Sequence, residues 1–294
     1  MKLAAIDIGS NAVRLQIVRV NEIGSADRFK KLEFVRIPIR LGDDAFKEQW
    51  ISKEKRKIFR LAMESFSALL GAFEVDHYMA CATSAMREAE NGEKIVKRVE
   101  EETGLKIHII NGKKESELIL ASILHIFEPN KNYLSIDVGG GSTEMTIISN
   151  QKIINSASFD IGTVRLMDGA VSEKTWQTLE HWVQHKTAGL TDINGVVTSG
   201  TINKILGLLH PNQAVKTITR NELKDFHRKV SKMSLQERIE KYKLNMDRAD
   251  IIDVSADIYL RILNWANIKT ILSPDNSGLK DGMLHVLYNK FYQA

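Results

Sequence analysis

Apolar positions fall along this chain in two recurring patterns. Short apolar runs rich in β-branched side chains read as buried strands. They cover residues 3–8 and 13–20, Phe34–Leu41, His77–Ala82, Leu105–Ile110, Tyr133–Ile136, Met145–Ile148, Lys152–Phe159, Val196–Val197 and Ile268–Leu272. Longer segments with a helical repeat lie between them. One starts at Lys53 and sets Ile58, Leu61, Ala62, Ser65, Phe66, Leu69 and Phe73 on a core-facing stripe. Others run over Glu93–Thr103, stopped by Gly104, and over Leu118–Phe127, closed by Pro129. Further helices are predicted over Ser172–Ala188, Asn221–Lys232, Leu235–Tyr242, Arg248–Ala266 and from Gly278 onward. Strands and helices alternate throughout, so the fold class is α/β.

Between two of these strands stands Asp137-Val138-Gly139-Gly140-Gly141-Ser142-Thr143-Glu144. A glycine triplet leaves backbone N–H groups free to point at an anion, and φ > 0 costs little there. Carboxylates beside such a cradle imply a cation between them or a proton to handle. An ordinary glycine-rich hairpin is the other reading of this loop taken singly. The pattern recurs in Ala5-Ile6-Asp7-Ile8-Gly9-Ser10-Asn11-Ala12-Val13-Arg14-Leu15, where Asp7 matches Asp137 and Gly9 matches Gly139. Internal repetition of this kind implies two related domains, each with a strand–loop–strand phosphate grip. The boundary is expected near residue 118, giving domains 1–118 and 119–294, with the C-terminal helix 281–294 a candidate to pack on the first.

Composition narrows the picture. A chain of 294 residues suggests about two domains. Its 41 Lys and Arg against 37 Asp and Glu leave a net charge of +4, too small to imply nucleic-acid binding. That charge suits an anionic ligand if the cations cluster. Cys81, the single cysteine, excludes an intrachain disulfide and fits a reducing cytoplasm; its apolar neighbours make it a buried structural thiol. Asp7 interrupts the N-terminal apolar stretch, so no signal peptide is expected. No run reaches the ~18 apolar residues of a membrane span.

Several other segments carry two readings. Thr83, Ser84 and Arg87 after the His77–Ala82 strand suit phosphate contact, or cap a helix with Arg87 solvated. The run Lys53-Glu54-Lys55-Arg56-Lys57 reads as a solvated face before it reads as a binding site. So do Arg228, Lys229, Lys232, Arg238, Lys241 and Lys243, which could otherwise wall a basic groove. Asp250, Asp253 and Asp257 form a solvated acidic stripe with Arg261 beyond it. His181 and His185 lie one turn apart without the third ligand a zinc site needs. Gly112-Lys113 lacks the rest of a P-loop. Glu115 and Glu117 follow it in or near a first helical turn, where carboxylates favour the dipole. The small-residue turn Thr198-Ser199-Gly200-Thr201 would let a ligand approach closely.

Together the segments AIDIGSNAVRL, ATSAMREAEN, ESELI, SIDVGGGSTEM, SFDIGTVRL, SGTINKI, RADII and GLKDGML resemble the exopolyphosphatase and guanosine-pentaphosphate phosphatase family, within the actin, hexokinase and Hsp70 fold group. The resemblance runs in order over most of the chain. It implies two ribonuclease-H-like domains flanking a central cleft, and hydrolysis of the terminal phosphoanhydride of inorganic polyphosphate or of the pentaphosphate alarmone with Mg2+ or Mn2+. It places Glu115 on the general base and Glu144 on a second essential carboxylate. Asp137, with Glu144, falls on the metal-associated group. Asp7, Gly9, Ser10, Asn11, Gly139, Gly140, Gly141, Ser142 and Thr143 fall on the phosphate loops, and Thr83, Arg87, Arg165, Gly200 and Thr201 on further phosphate-binding positions. Lys114 stands where the family has a second glutamate, and Ser255 where it has a glycine. The short form, a cytoplasmic homodimer without the extra helical domain of longer relatives, is expected. A kinase or a non-catalytic polyphosphate sensor of the same fold are the competing functions.

Overall fold

Hydrogen bonding sorts the strands into two sheets, one in each of two compact units. These are Met1–Ser122 with Leu279–Ala294, and Ile123–Gly278. The structure, a computed structural model, describes residues 1–21, 28–211 and 216–292.

The first unit runs β1 (Lys2–Ile8), β2 (Val13–Val20), β3 (Phe29–Ile37), α1 (Leu41–Glu48), α2 (Lys53–Ala72), β4 (His77–Ala82), α3 (Ser84–Glu88), α4 (Gly92–Thr103), β5 (His108–Ile109) and α5 (Gly112–Ile123). Its sheet has the order β3-β2-β1-β4-β5. The first three strands form an antiparallel meander; β4 and β5 join in parallel through helical crossovers. The second unit repeats this start with β6 (Asn132–Val138), β7 (Thr143–Ser149), β8 (Lys152–Phe159), α6 (Thr163–Met167), α7 (Glu173–Thr187), β9 (Ile193–Val197) and α8 (Gly200–Leu209). It continues through β10 (Lys216–Thr219), α9 (Arg220–Val230), α10 (Leu235–Tyr242), α11 (Met246–Ala249), α12 (Ile252–Trp265) and β11 (Thr270–Ser273). The sheet order is β10-β11-β9-β6-β7-β8. The last helix, α13 (Leu279–Tyr292), belongs to the first unit.

Both faces of β1 are buried, which explains its unbroken apolar run. Ala4, Ile6 and Ile8 face the α2 side, with Phe59 and Phe66. Leu3 and Ala5 face α13, with Met283 and Leu287. α13 comes close enough to α5 that a Cβ on Gly282 would lie 1.7 Å from the Leu118 carbonyl oxygen.

Four expectations need correction. The α2 stripe is turned by one residue: Phe59, Ala62, Met63, Phe66 and Leu70 are buried, while Ile58 and Leu61 are each 46% exposed. The bulkier residues keep the same helical spacing and win the core. β3 begins earlier than expected and ends at Ile37, before Arg40 takes a left-handed conformation (φ 57°). The helix expected over Arg248–Ala266 breaks into α11 and α12. There Arg238 donates to the Ala249 carbonyl (3.1 Å), which an unbroken helix would offer to the N–H of residue 253. Arg238 also grips both oxygens of Asp253 at 2.7 Å, so neither belongs to a solvated stripe or a basic groove wall.

Gly282→Ala is expected to cost at least about 1–3 kcal/mol, because the Cβ meets backbone that cannot rotate away. Thermal unfolding followed by circular dichroism checks this; an unchanged Tm would contradict the close approach.

Candidate active site

The two glycine turns are built alike. In the first unit the Gly9 N–H donates to the Ala12 carbonyl (3.2 Å), and in the second the Gly139 N–H donates to the Ser142 carbonyl (2.9 Å). Each turn joins two antiparallel strands, and a short connection after the third strand leads a helix back onto it. The start of α1 sends the Gly42 N–H to the Ser10 carbonyl (2.8 Å), and the Arg40 N–H goes to the Asn11 carbonyl (2.9 Å). The start of α6 sends the Val164 N–H to the Gly140 carbonyl (2.8 Å) and the Thr163 N–H to the Gly139 carbonyl (3.0 Å). Arg165, 7% exposed, donates from Nε to the Gly141 carbonyl (2.7 Å). A trans peptide points its N–H opposite its C=O. Carbonyls held by the helix therefore turn the N–H groups of Gly140, Gly141 and Ser142, and of Asn11 and Ala12, to the other side, as an anion cradle requires.

The remaining candidates of the first unit gather at one edge of its sheet, where β1, β4 and β5 end. The Thr83 N–H donates to the Ile8 carbonyl (3.1 Å), and the Ile110 N–H to the Ala82 carbonyl (2.9 Å). Ser10 Oγ and Ser84 Oγ are 2.9 Å apart and buried. Arg87 is anchored by Nη1 on the Ile110 carbonyl (2.7 Å). α5 starts at Gly112, six residues ahead of the apolar segment expected there, because Asn111 caps it by accepting from the Lys114 N–H (2.9 Å). Glu115 therefore sits in the first turn of α5, 9% exposed. Lys114 pairs with Glu117 (3.2 Å), both side chains being about half exposed. The Cys81 thiol is pushed up to about 12, by burial first and then by the charges of Asp7 and Glu115. It stays protonated at neutral pH and is no nucleophile.

In the second unit Asp137 and Glu144 are direct cross-strand partners on β6 and β7. The same register in the first unit pairs Asp7 with Arg14, whose Nη1 lies 2.6 Å from Asp7 Oδ2. Like charges directly opposite destabilise a sheet unless a cation or proton relieves them. Ser158 Oγ donates to Glu144 Oε1 (2.8 Å), and Thr198 Oγ1 donates to Asp137 Oδ2. Two carboxylates with neighbouring hydroxyls fit a hard divalent cation that keeps waters and shares substrate oxygens. No cluster of three or more His, Cys, Asp or Glu suited to a metal exists among the described residues, so such a cation would rest on this pair. Thr143 is fully buried, and its hydroxyl donates to the Ile161 carbonyl (2.6 Å), bracing the turn from beneath. Gly200 and Thr201 form the first turn of α8, capped by Ser199.

Tyr259 and Ser158 are neighbours of the Asp137–Glu144 pair that residue patterns did not single out. Tyr259 is fully buried; its hydroxyl accepts from the Val138 N–H (3.2 Å) and donates to Ser199 Oγ (3.0 Å). Burial, then the Asp137 charge, raises the Tyr259 pKa above the usual phenol range, so it stays a donor. A Thr–Ser pair follows the central parallel strand in both halves, as Thr83-Ser84 and Thr198-Ser199.

Two meander-plus-crossover sheets, each ending its first hairpin in an anion-ready turn, define an α/β protein of the actin-like fold. An exopolyphosphatase from Cytophaga hutchinsonii shares this fold at a TM-score of 0.83, with 21% identity, over 99% of this chain and 98% of that one. The Ppx/GppA phosphatase family matches residues 25–291, and the chain belongs to that family of phosphoanhydride hydrolases. It is 26% identical to exopolyphosphatase 1 of Mycobacterium tuberculosis over 87% of this chain and 79% of that protein. It is 25% identical to a bifunctional 3-dehydroquinate synthase/phosphatase of Fusobacterium nucleatum, over 98% of this chain but only 47% of that protein. No helix among the described residues is long and apolar enough to cross a membrane.

If the Asp137–Glu144 pair holds a divalent cation, Asp137→Asn will weaken Mn2+ binding in the presence of orthophosphate by about tenfold or more. The electron paramagnetic resonance signal of free Mn2+ reads this without turnover. Equal affinities in the two proteins would remove the pair as the cation site.

Proposed function

We propose that the chain is a metal-dependent exopolyphosphatase, removing the terminal phosphoryl group of linear inorganic polyphosphate as orthophosphate. The carrying observation is the placement of Glu115: a largely buried carboxylate in a capped first helical turn, on the sheet edge that holds the Gly9–Ala12 turn, Thr83 and Arg87. The names of relatives support polyphosphate as substrate; the family name keeps guanosine pentaphosphate as the competitor. The two compact units are read as the family's two domains.

Phosphoryl transfer asks for charge neutralisation and in-line placement more than for covalent help. In the first unit the N–H groups of Asn11 and Ala12 hold phosphoryl oxygens, with Arg87 adding positive charge on the same sheet edge; in the second, those of Gly140, Gly141 and Ser142 offer a like cradle. Asp137 and Glu144 would hold Mg2+ or Mn2+, which would supply neutralisation of charge developing on phosphoryl oxygens. Glu115 orients a water and takes its proton as the new P–O bond forms. The bridging P–O bond to the rest of the chain breaks, and the shortened chain leaves with that oxygen.

Glu115→Gln preserves shape and removes the base. Its kcat on polyphosphate is expected to fall about 10²–10⁴-fold with the fold intact by circular dichroism. Undiminished phosphate release would take Glu115 out of the mechanism. Wild-type protein offered polyphosphate and guanosine pentaphosphate under one salt condition decides the substrate; a higher kcat/KM for the alarmone would reverse that choice.

A further inference from the structure

The first unit carries a second cationic feature that the reaction does not use. A groove of about 420 Å³ lies between α2 and α4, a volume within the range of ligand sites. Lys53, Arg56, Lys57 and Arg60 line it from α2, and Lys94 and Arg98 from α4. Glu102 is the only carboxylate in the lining. These six cations and one carboxylate carry +5, while the whole chain carries +4, so the remaining residues net −1 (4 − 5). The basic excess of the protein therefore resides in this groove.

The cations are available to a ligand. Arg98 donates to Glu102 (2.8 Å) and Arg60 pairs with Glu64, but Lys53, Lys57 and Lys94 form no ion pair with any described residue. From Lys53 to Arg60 the α2 row spans about 10 Å at the rise of an α-helix. At one end of the groove the two helix starts are tied together. The Ile51 N–H donates to Asn91 Oδ1 (3.0 Å), and Asn91 Nδ2 donates to the Ile51 carbonyl (2.9 Å). α2 and α4 feed the starts of the parallel strands β4 and β5, so both helices begin at the opposite edge, where β1 and β4 end. Two positive helix ends thus add to the lysines at the sheet edge that carries Glu115 and the Gly9–Ala12 turn.

The lining offers charge but little that reads a base. Both polar ends of the Asn91 amide are spent on Ile51, and Trp50, 45% exposed, is the only aromatic residue present. Single-stranded nucleic acids are held by successive stacking platforms, which one ring does not supply.

We propose that this groove is a second, non-catalytic binding site for an extended inorganic oligophosphate, which holds a stretch of chain remote from the end being cleaved. The site itself does not depend on the hydrolase reading; only its kinetic consequence does.

The test uses the full chain with Lys57→Glu and Lys94→Glu combined, two exposed side chains whose reversal breaks no ion pair. Binding of fluorescently labelled long-chain polyphosphate, read by anisotropy without divalent metal, is expected to weaken about tenfold or more, with tripolyphosphate binding unchanged. In turnover, KM for long chains should rise while kcat, and KM for tripolyphosphate, stay put. An unchanged long-chain affinity in a variant of wild-type Tm overturns the proposal. So does an equal loss for short and long chains, which would mark a diffuse field rather than a site. Displacement of the labelled chain by an RNA oligonucleotide as readily as by unlabelled polyphosphate also overturns it, because the occupant would then be a nucleic acid. Wild-type binding without any phosphate release would defeat the hydrolase reading alone.

Discussion

The carbonyls of the two tight glycine turns are met by N–H groups from a later helix, and that constraint organises both units. Buried backbone acceptors need donors. Here the donors are N–H groups at or just before the start of the helix that follows the third strand: Val164 and Thr163 in one unit, Gly42 and Arg40 in the other. Once the carbonyls are held, peptide planarity aims the N–H groups the opposite way. The anion cradle is thus a consequence of how the helix docks. The docking also dictates Gly162, since a Cβ there would lie 2.5 Å from the Gly140 carbonyl. The conformation of the triplet and the bareness of Gly162 are one requirement seen from two sides.

Equal scaffolds have diverged in charge. Strand register sets residue 14 opposite Asp7 and residue 144 opposite Asp137. An arginine at the first position neutralises its carboxylate within the protein, and a glutamate at the second adds to the negative charge. The first carboxylate thus has a cation directly across the strand pair, whereas the second has another carboxylate there. Two copies of one turn differ in charge through a single cross-strand position.

Most of the strand content was legible because β1, β6 and β7 are buried on both faces, and continuous apolar runs report that directly. The second turn was legible because few other roles require three glycines in a row, and the first because it repeats the Asp-x-Gly pattern of the second. Legibility failed where tertiary partners decide. Nothing local reveals that Arg238 reaches Asp253 and the Ala249 carbonyl, so the break between α11 and α12 was invisible. Tyr259 lies far along the chain from Val138 and Ser199, and a buried tyrosine has no local signature of its partners. Cap identity was more accessible: Asn111 before Gly112 announces a helix, and placing the start of α5 there sets Glu115 in its first turn.

The one-residue turn of the α2 stripe shows how core and surface are coupled. Putting Phe59, Met63, Phe66 and Leu70 into the core fixes the rotation of the whole helix. That rotation sends Ile58 and Leu61 outward and sets Lys53, Arg56, Lys57 and Arg60 toward α4. Both helices are crossovers into parallel strands, so they run side by side in the same direction, and cations distant in sequence line one groove. A charge run that reads as a solvated face thus becomes one wall of a concave surface. The facing wall is supplied by Lys94 and Arg98, which only the topology of the sheet brings near.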